Sequence, residues 1–102
     1  MAIPDFQKIM LPFLKLLGDK QEHSIGETVD SLADQFGLSN EERRELLPSG
    51  QQTIFRNRAG WARTHLGKAL LLESTRRGYF KITERGLTVL KGNPPDINIK
   101  FL

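Results

Sequence analysis

The chain contains no cysteine. Disulfide staples, thiolate metal sites and redox pairs are thereby excluded, and the absence suits the cytoplasm. Histidine is nearly as scarce. His23 and His65 lie far apart, with no carboxylate pattern at ligand spacing, so no metal site is expected. Long apolar runs are missing too. The longest, Ile9 to Leu17, is interrupted by Lys15 and falls far short of a membrane span. The start, Met1-Ala2-Ile3-Pro4-Asp5, has no basic segment and an early acid, unlike a signal peptide. Internal repeats and low-complexity tracts are also lacking. What is left is a soluble composition, 38% hydrophobic and 26% charged over 102 residues. One domain of that size buries roughly two-thirds of the surface its unfolded chain exposes, without disulfide or metal.

Charge is plentiful but unevenly placed. Residues 1–50 carry five Lys/Arg against nine Asp/Glu, and residues 51–102 carry ten against three. The overall charge of +3 therefore hides an acidic first half and a strongly basic second half. In the basic half a helical pattern, Thr53 to Leu71, runs directly into a hairpin pattern, Leu72 to Thr83. A basic helix followed by a basic-tipped hairpin is the footprint of a nucleic-acid-binding winged helix.

The remaining elements support that reading. Asp5 is placed to cap a first helix whose apolar face is Phe6, Ile9, Met10, Phe13, Leu16 and Leu17, kinked at Pro12 and ended by Gly18-Asp19. Glu22 to Ile25 suits a short strand. Ser24 with Glu27 is a capping-box pattern for a second helix built on Ile25, Val29, Leu32, Ala33 and Phe36, with Gly37 as its stop. Ser39 with Glu42 repeats the box for a short third helix anchored by Leu46 and Leu47 and closed by Pro48. Ser49 with Gln52, or Thr53, would cap the fourth. On a helical wheel the fourth helix's core face is Phe55, Ala59, Ala62, Leu66, Ala69 and Leu70. Strands at Leu72–Thr75 and Tyr79–Thr83 flank the tip Arg76-Arg77-Gly78, where glycine supplies the positive φ of a tight turn. Thr83 caps a last helix, Glu84 to about Lys91, broken by Gly92-Asn93-Pro94-Pro95. The expected architecture is mostly α (α+β): a winged helix-turn-helix of about five helices with a C-terminal β-hairpin wing, filling residues 1–92. Residues 93–102 form an extended tail or the start of a linker.

DNA-reading side chains must sit on the fourth helix away from its core. Gln51, Gln52, Asn57 and Thr64 meet that condition, and Asn or Gln can bond adenine bidentately. Thr53 lies at the helix N-terminus, whose amides favour phosphate. Arg56 and Arg63 share one flank and suit phosphates or bases, and Lys68 adds charge. Gly60 and Gly67 face outward, at a cost of about 2 kcal/mol against two alanines, which suits close approach by another backbone. At the wing, Arg76 and Arg77 can straddle a phosphate backbone or enter a minor groove, with Lys81 and Arg85 extending the basic surface. Six phosphate contacts would give a log–log salt slope near roughly −5. Trp61, at the border of the apolar face, is expected to pack against the first helix, with nucleic-acid contact as the alternative.

No enzymatic pattern survives inspection. Gly60 and Gly67-Lys68 are too widely spaced for a phosphate loop. Ser24, Ser39 and Ser49 are better explained as caps than as nucleophiles. No Asp is followed by the Glu-x-Lys of a metal-dependent nuclease. No catalytic residue, metal ligand or cofactor is assigned to this chain.

The block Leu47-Pro48-Ser49-Gly50-Gln51-Gln52-Thr53-Ile54-Phe55-Arg56-Asn57-Arg58-Ala59-Gly60-Trp61-Ala62-Arg63 resembles the N-terminal domain of Mrr-type restriction endonucleases. So do Ile3-Pro4-Asp5-Phe6, Phe36-Gly37-Leu38-Ser39 and Ile82-Thr83-Glu84-Arg85-Gly86. The resemblance covers about Ile3 to Lys91. It implies a winged-helix module that targets a type IV nuclease to modified, typically methylated, double-stranded DNA. It also implies cleavage by a separate C-terminal domain of the PD-(D/E)xK class that uses magnesium, joined through a linker near Leu102. Two rival readings are a free-standing transcription regulator and a protein-interaction winged helix that docks through Trp61 and the glycine face. A regulator would need a homodimer, for which residues 96–102, with Ile97, Ile99 and Phe101 alternating, offer a strand.

Overall fold

Asp5 starts the first helix, α1 (Phe6–Leu16), its carboxylate accepting from the Lys8 amide at 3.0 Å. That bond satisfies one of the amides that a helix start leaves without an internal partner. The computed structural model describes residues 3–97. Pro12 lies within α1 without dividing it, and Ile9, Met10, Phe13 and Leu14 are fully buried along one face. A 3-10 turn, Leu17–Asp19, and a left-handed Lys20 (φ 67°) end the helix.

After a two-residue strand, β1 (His23–Ser24), Ser24 caps α2 (Ile25–Gln35) by accepting from the Glu27 amide at 3.2 Å. The reciprocal half of that box gives way to another bond: Glu27 turns its carboxylate to His23 Nδ1 at 2.6 Å. The box at Ser39 and Glu42 is complete and starts α3 (Asn40–Arg44). This helix is shorter than its sequence suggests. Glu45 is already extended, Leu46 bridges to Thr53 and is 53% exposed, and Pro48 lies in the following turn. Leu46 thus extends the chain toward the next helix rather than anchoring α3.

Thr53, and not Ser49, caps α4 (Ile54–Lys68), accepting from the Arg56 amide at 3.2 Å. Phe55, Ala59, Ala62 and Leu66 are buried, as the wheel requires. Leu70 departs from it, being 63% exposed with φ +65°. The Leu70 amide donates to the Gly67 carbonyl and the Leu71 amide to the Leu66 carbonyl, both at 3.0 Å. This is a Schellman ending, with leucine in the left-handed position that glycine usually takes. The helix therefore stops short of Leu71, and Leu71 rather than Leu70 enters the core.

The chain then forms β2 (Leu72–Arg76) and β3 (Tyr79–Ile82). Arg76 belongs to the strand, leaving Arg77-Gly78 as the tip, with φ +79° at Gly78. β1 pairs with β3 on the other side, so the antiparallel sheet has the order β1-β3-β2. Thr83 caps α5 (Glu84–Lys91). Among the described residues, five α-helices and this sheet constitute an α+β winged helix.

The core lies between α1, α4 and the sheet. Ala59 and Ala62 present no bulk, so α4 can approach α1 closely. Phe13 meets Phe80 of β3 with ring centroids 5.5 Å apart, and Phe36 meets Phe55 edge-on at 6.2 Å. Each large apolar side chain buried here contributes about 1.5–3 kcal/mol. Gly86 fixes the seat of α5: a Cβ there would lie 2.4 Å from the Leu71 carbonyl oxygen. Ile97 is fully buried in the same core, so this part of the tail stripe is covered by its own chain, while Ile99 and Phe101 lie outside the described residues. Among the described residues no helix is long and apolar enough to cross a membrane.

Candidate nucleic-acid interface

With Phe55, Ala59, Ala62 and Leu66 turned inward, the period of the helix turns Asn57, Gly60, Thr64 and Gly67 outward. Two shallow clefts adjoin on this face and share Arg63 and Thr64. The first, about 310 Å³, is lined by Gln52, Asn57, Gly60, Trp61, Arg63 and Thr64. The second, about 350 Å³, lies between α4 and the wing, with Gly67 and Lys68 facing Leu72, Glu73, Ser74 and Phe80. A larger depression of about 760 Å³ lies over α3, but Glu41, Glu42 and Glu45 line it, and these acids repel phosphate.

Of the residues expected to contact DNA, Gln52, Asn57, Gly60, Arg63, Thr64 and Lys68 come together in the two clefts. Asn57 donates from Nδ2 to Gln52 Oε1 at 3.1 Å, which fixes both amides. Thr64 donates its hydroxyl to the Gly60 carbonyl at 3.0 Å. The Arg63 guanidinium lies 5.5 Å from the centre of the Phe80 ring, a cation–π contact that steadies it beside the wing. Thr53 serves as the helix cap. Gln51 sits exposed in the turn before it, its amide donating to Ser49 Oγ at 3.4 Å. Arg56 is exposed beside Asp30 and Arg43, in a separate hollow against α2.

The wing cations divide. Arg77 is exposed at the tip. Arg76 is held by the acidic half of the chain: its Nε donates to Glu22 Oε1 at 2.8 Å, and its guanidinium stacks 3.9 Å over the Tyr79 ring. Glu22 also accepts from the Thr75 hydroxyl at 2.7 Å, and this bond with the Arg76 contact keeps its carboxyl below the usual range. Lys81 faces Glu73 at 3.7 Å. Among the described residues, Arg76 of the expected wing pair is therefore engaged, while Arg77 stands exposed at the tip.

Trp61 overturns its expected place. It is 53% exposed and does not fill the space against α1. His65 occupies that flank, stacked on Phe6 at 5.0 Å, and Trp61 lies 6.3 Å beyond His65. The wheel held the signal, since position 61 falls nearer the Asn57–Thr64 side than the core side; the habit of tryptophan to be buried outweighed it. The wing residues Leu72, Glu73 and Ser74 were missed as cleft lining because only the return of the hairpin brings them against α4.

The Mrr N-terminal domain family matches residues 6–92 of this chain. The chain belongs to that family. It is also 34% identical, over 95 residues, to the type IV methyl-directed restriction enzyme EcoKMrr from Escherichia coli (strain K12). That match covers 92% of this chain and 31% of the enzyme, so the chain spans about a third of that relative's length. No solved structure matches it significantly. An Mrr N-terminal domain is a component of a restriction system, and the adjoining clefts on α4 bring Arg63 and Lys68 of this domain together beside Glu73.

Proposed function

We propose that this Mrr N-terminal domain binds double-stranded DNA and directs a nuclease to modified sites. In this reading α4 lies in the major groove, where a helix fits and where base edges are distinguishable. The Arg77 tip of the wing lies on the adjacent phosphate backbone. The observation that carries the proposal is the pair of adjoining clefts on the outward face of α4, where fixed amides stand beside Arg63 and Lys68. Such a surface offers charge for phosphates and directional groups for bases. The methyl-directed activity named for the relative supplies the class of target, modified DNA. Cleavage is assigned to a magnesium-dependent nuclease domain elsewhere in the parent protein.

Titration of fluorescent duplexes over a range of salt tests the proposal. Arg56, Arg63, Lys68 and Arg77, each neutralising one phosphate, give a log–log slope of roughly −3.6. Arg56→Ala and Arg77→Ala should each weaken binding to every duplex. Wild-type affinity in both variants, or binding without salt dependence, would exclude the groove-and-wing arrangement and favour a protein-docking role.

A further inference from the structure

We infer that the cleft bounded by Trp61, Gly60, Thr64 and the Gln52–Asn57 pair is the subsite that reads a methyl group projecting from a base edge in the major groove. The inference rests on the proposal that α4 occupies that groove. Three observations converge on it. First, Trp61 is a large aromatic left more than half exposed on a face otherwise polar, and it is backed by His65, itself stacked on Phe6. A ring held in this way meets an apolar group without first being ordered.

Second, the cleft has a floor where a side chain would ordinarily stand. A Cβ on Gly60 would meet nothing within 4 Å, so the packing of this domain does not require glycine there. Its absent side chain opens the space beside Trp61. Thr64 gives its hydroxyl to the Gly60 carbonyl, so what it offers an incoming group is its methyl. The cleft thus presents an indole, a bare helix backbone and a methyl, the apolar contacts by which a base methyl is recognised.

Third, the polar groups at its edge are oriented. Because Asn57 donates to Gln52, Asn57 Oδ1 remains as an acceptor and Gln52 Nε2 as a donor. An acceptor at that point suits the exocyclic amine that cytosine and adenine both present in the major groove. The shared chemistry is a methyl on or beside an exocyclic amine, found in 5-methylcytosine and in N6-methyladenine.

The test uses the whole chain and random-sequence duplex pools. One pool is unmodified, one has 5-methylcytosine in place of cytosine, and one has N6-methyladenine in place of adenine. Burial of one methyl against the cleft predicts that wild type prefers one modified pool by roughly four- to tenfold. Trp61→Ala should bind all three pools with one and the same affinity, and Trp61→Phe should restore part of the preference. Trp61 is the chain's single tryptophan, so its fluorescence should change more with the preferred pool. Salt-dependent binding with no preference in wild type, or a preference retained in Trp61→Ala, overturns the subsite while leaving the groove assignment standing. Absence of salt-dependent binding to any pool overturns both.

Discussion

Arg76 of the wing donates to Glu22, the residue that precedes β1, at 2.8 Å. The basic wing is thereby tied to the acidic half, and one of its two arginines is partly neutralised. Glu22→Gln keeps an acceptor for Arg76 but removes the neutralising charge, and should raise DNA affinity about two- to threefold at low salt, an effect that screening removes at high salt. Arg77→Ala should cost more affinity than Arg76→Ala and reduce the salt slope by about 0.9, read by fluorescence anisotropy.

Glycines on α4 and α5 should respond in opposite directions. Gly60 and Gly67 have open space around an added Cβ, so alanine at either should stabilise the domain by about 0.5–1 kcal/mol through helix propensity. Gly86→Ala drives a Cβ to 2.4 Å from the Leu71 carbonyl oxygen and should destabilise by about 1–3 kcal/mol. Leu70→Gly relieves a left-handed leucine that is mostly exposed and should stabilise by about 1 kcal/mol. Urea denaturation of the four variants checks each sign.

These glycines also show what could be read in advance. Caps at Asp5, Ser39 and Thr83, and the apolar faces of α1, α2 and α4, were visible because they depend on residues three or four apart. The order of helices and hairpin followed from them. Leu46, Leu70 and Trp61 were misplaced because their environments depend on where a helix stops and on which neighbour reaches the core first. Leu71 took the buried position that periodicity gave to Leu70, and His65 with Phe6 took the flank given to Trp61. The Glu22–Arg76 pair joins residues 54 apart and leaves no local pattern. So the outward face of α4 and the residues that line its clefts were legible, but the engagement of Arg76 by Glu22 was not.

His23 sits between two carboxylates, with Nε2 2.9 Å from Asp19 and Nδ1 2.6 Å from Glu27. Burial works against its charge, but the bonds to Asp19 and Glu27 outweigh it and raise its pKa above the usual histidine value. A neutral imidazole could donate to only one of them. The stabilisation is fully present below the unfolded histidine pKa, about 6.5, and is lost as pH rises through the higher folded value. Asp19 behaves in the reverse sense. The bond from His23 and then that from the Gln21 amide lower its pKa, so its contribution is present above the unfolded carboxylate value and disappears as pH falls through the folded one. Thermal unfolding should show stability declining above about pH 6.5 in wild type, and His23→Gln should flatten that decline.

Arg58 separates charge that holds the fold from charge that faces outward. It lies on α4 two residues from Arg56, yet its Nη1 donates to the Ile3 carbonyl at 2.7 Å and to the Pro4 carbonyl at 3.3 Å. Those bonds fasten the segment before α1 to the flank of α4 opposite Arg56 and Arg63. Removing the guanidinium leaves two carbonyls without their donor, and Arg58→Ala should cost about 1–2 kcal/mol of stability. Because the charge is turned away from the clefts, the same variant, measured where it is fully folded, should keep the wild-type salt slope. Arg63→Ala should do the opposite, lowering the slope by about 0.9 with a smaller loss of stability. A reduced slope in Arg58→Ala equal to that of Arg63→Ala would mean that DNA wraps both flanks of α4, and the outward face could no longer be the contact surface assigned to it.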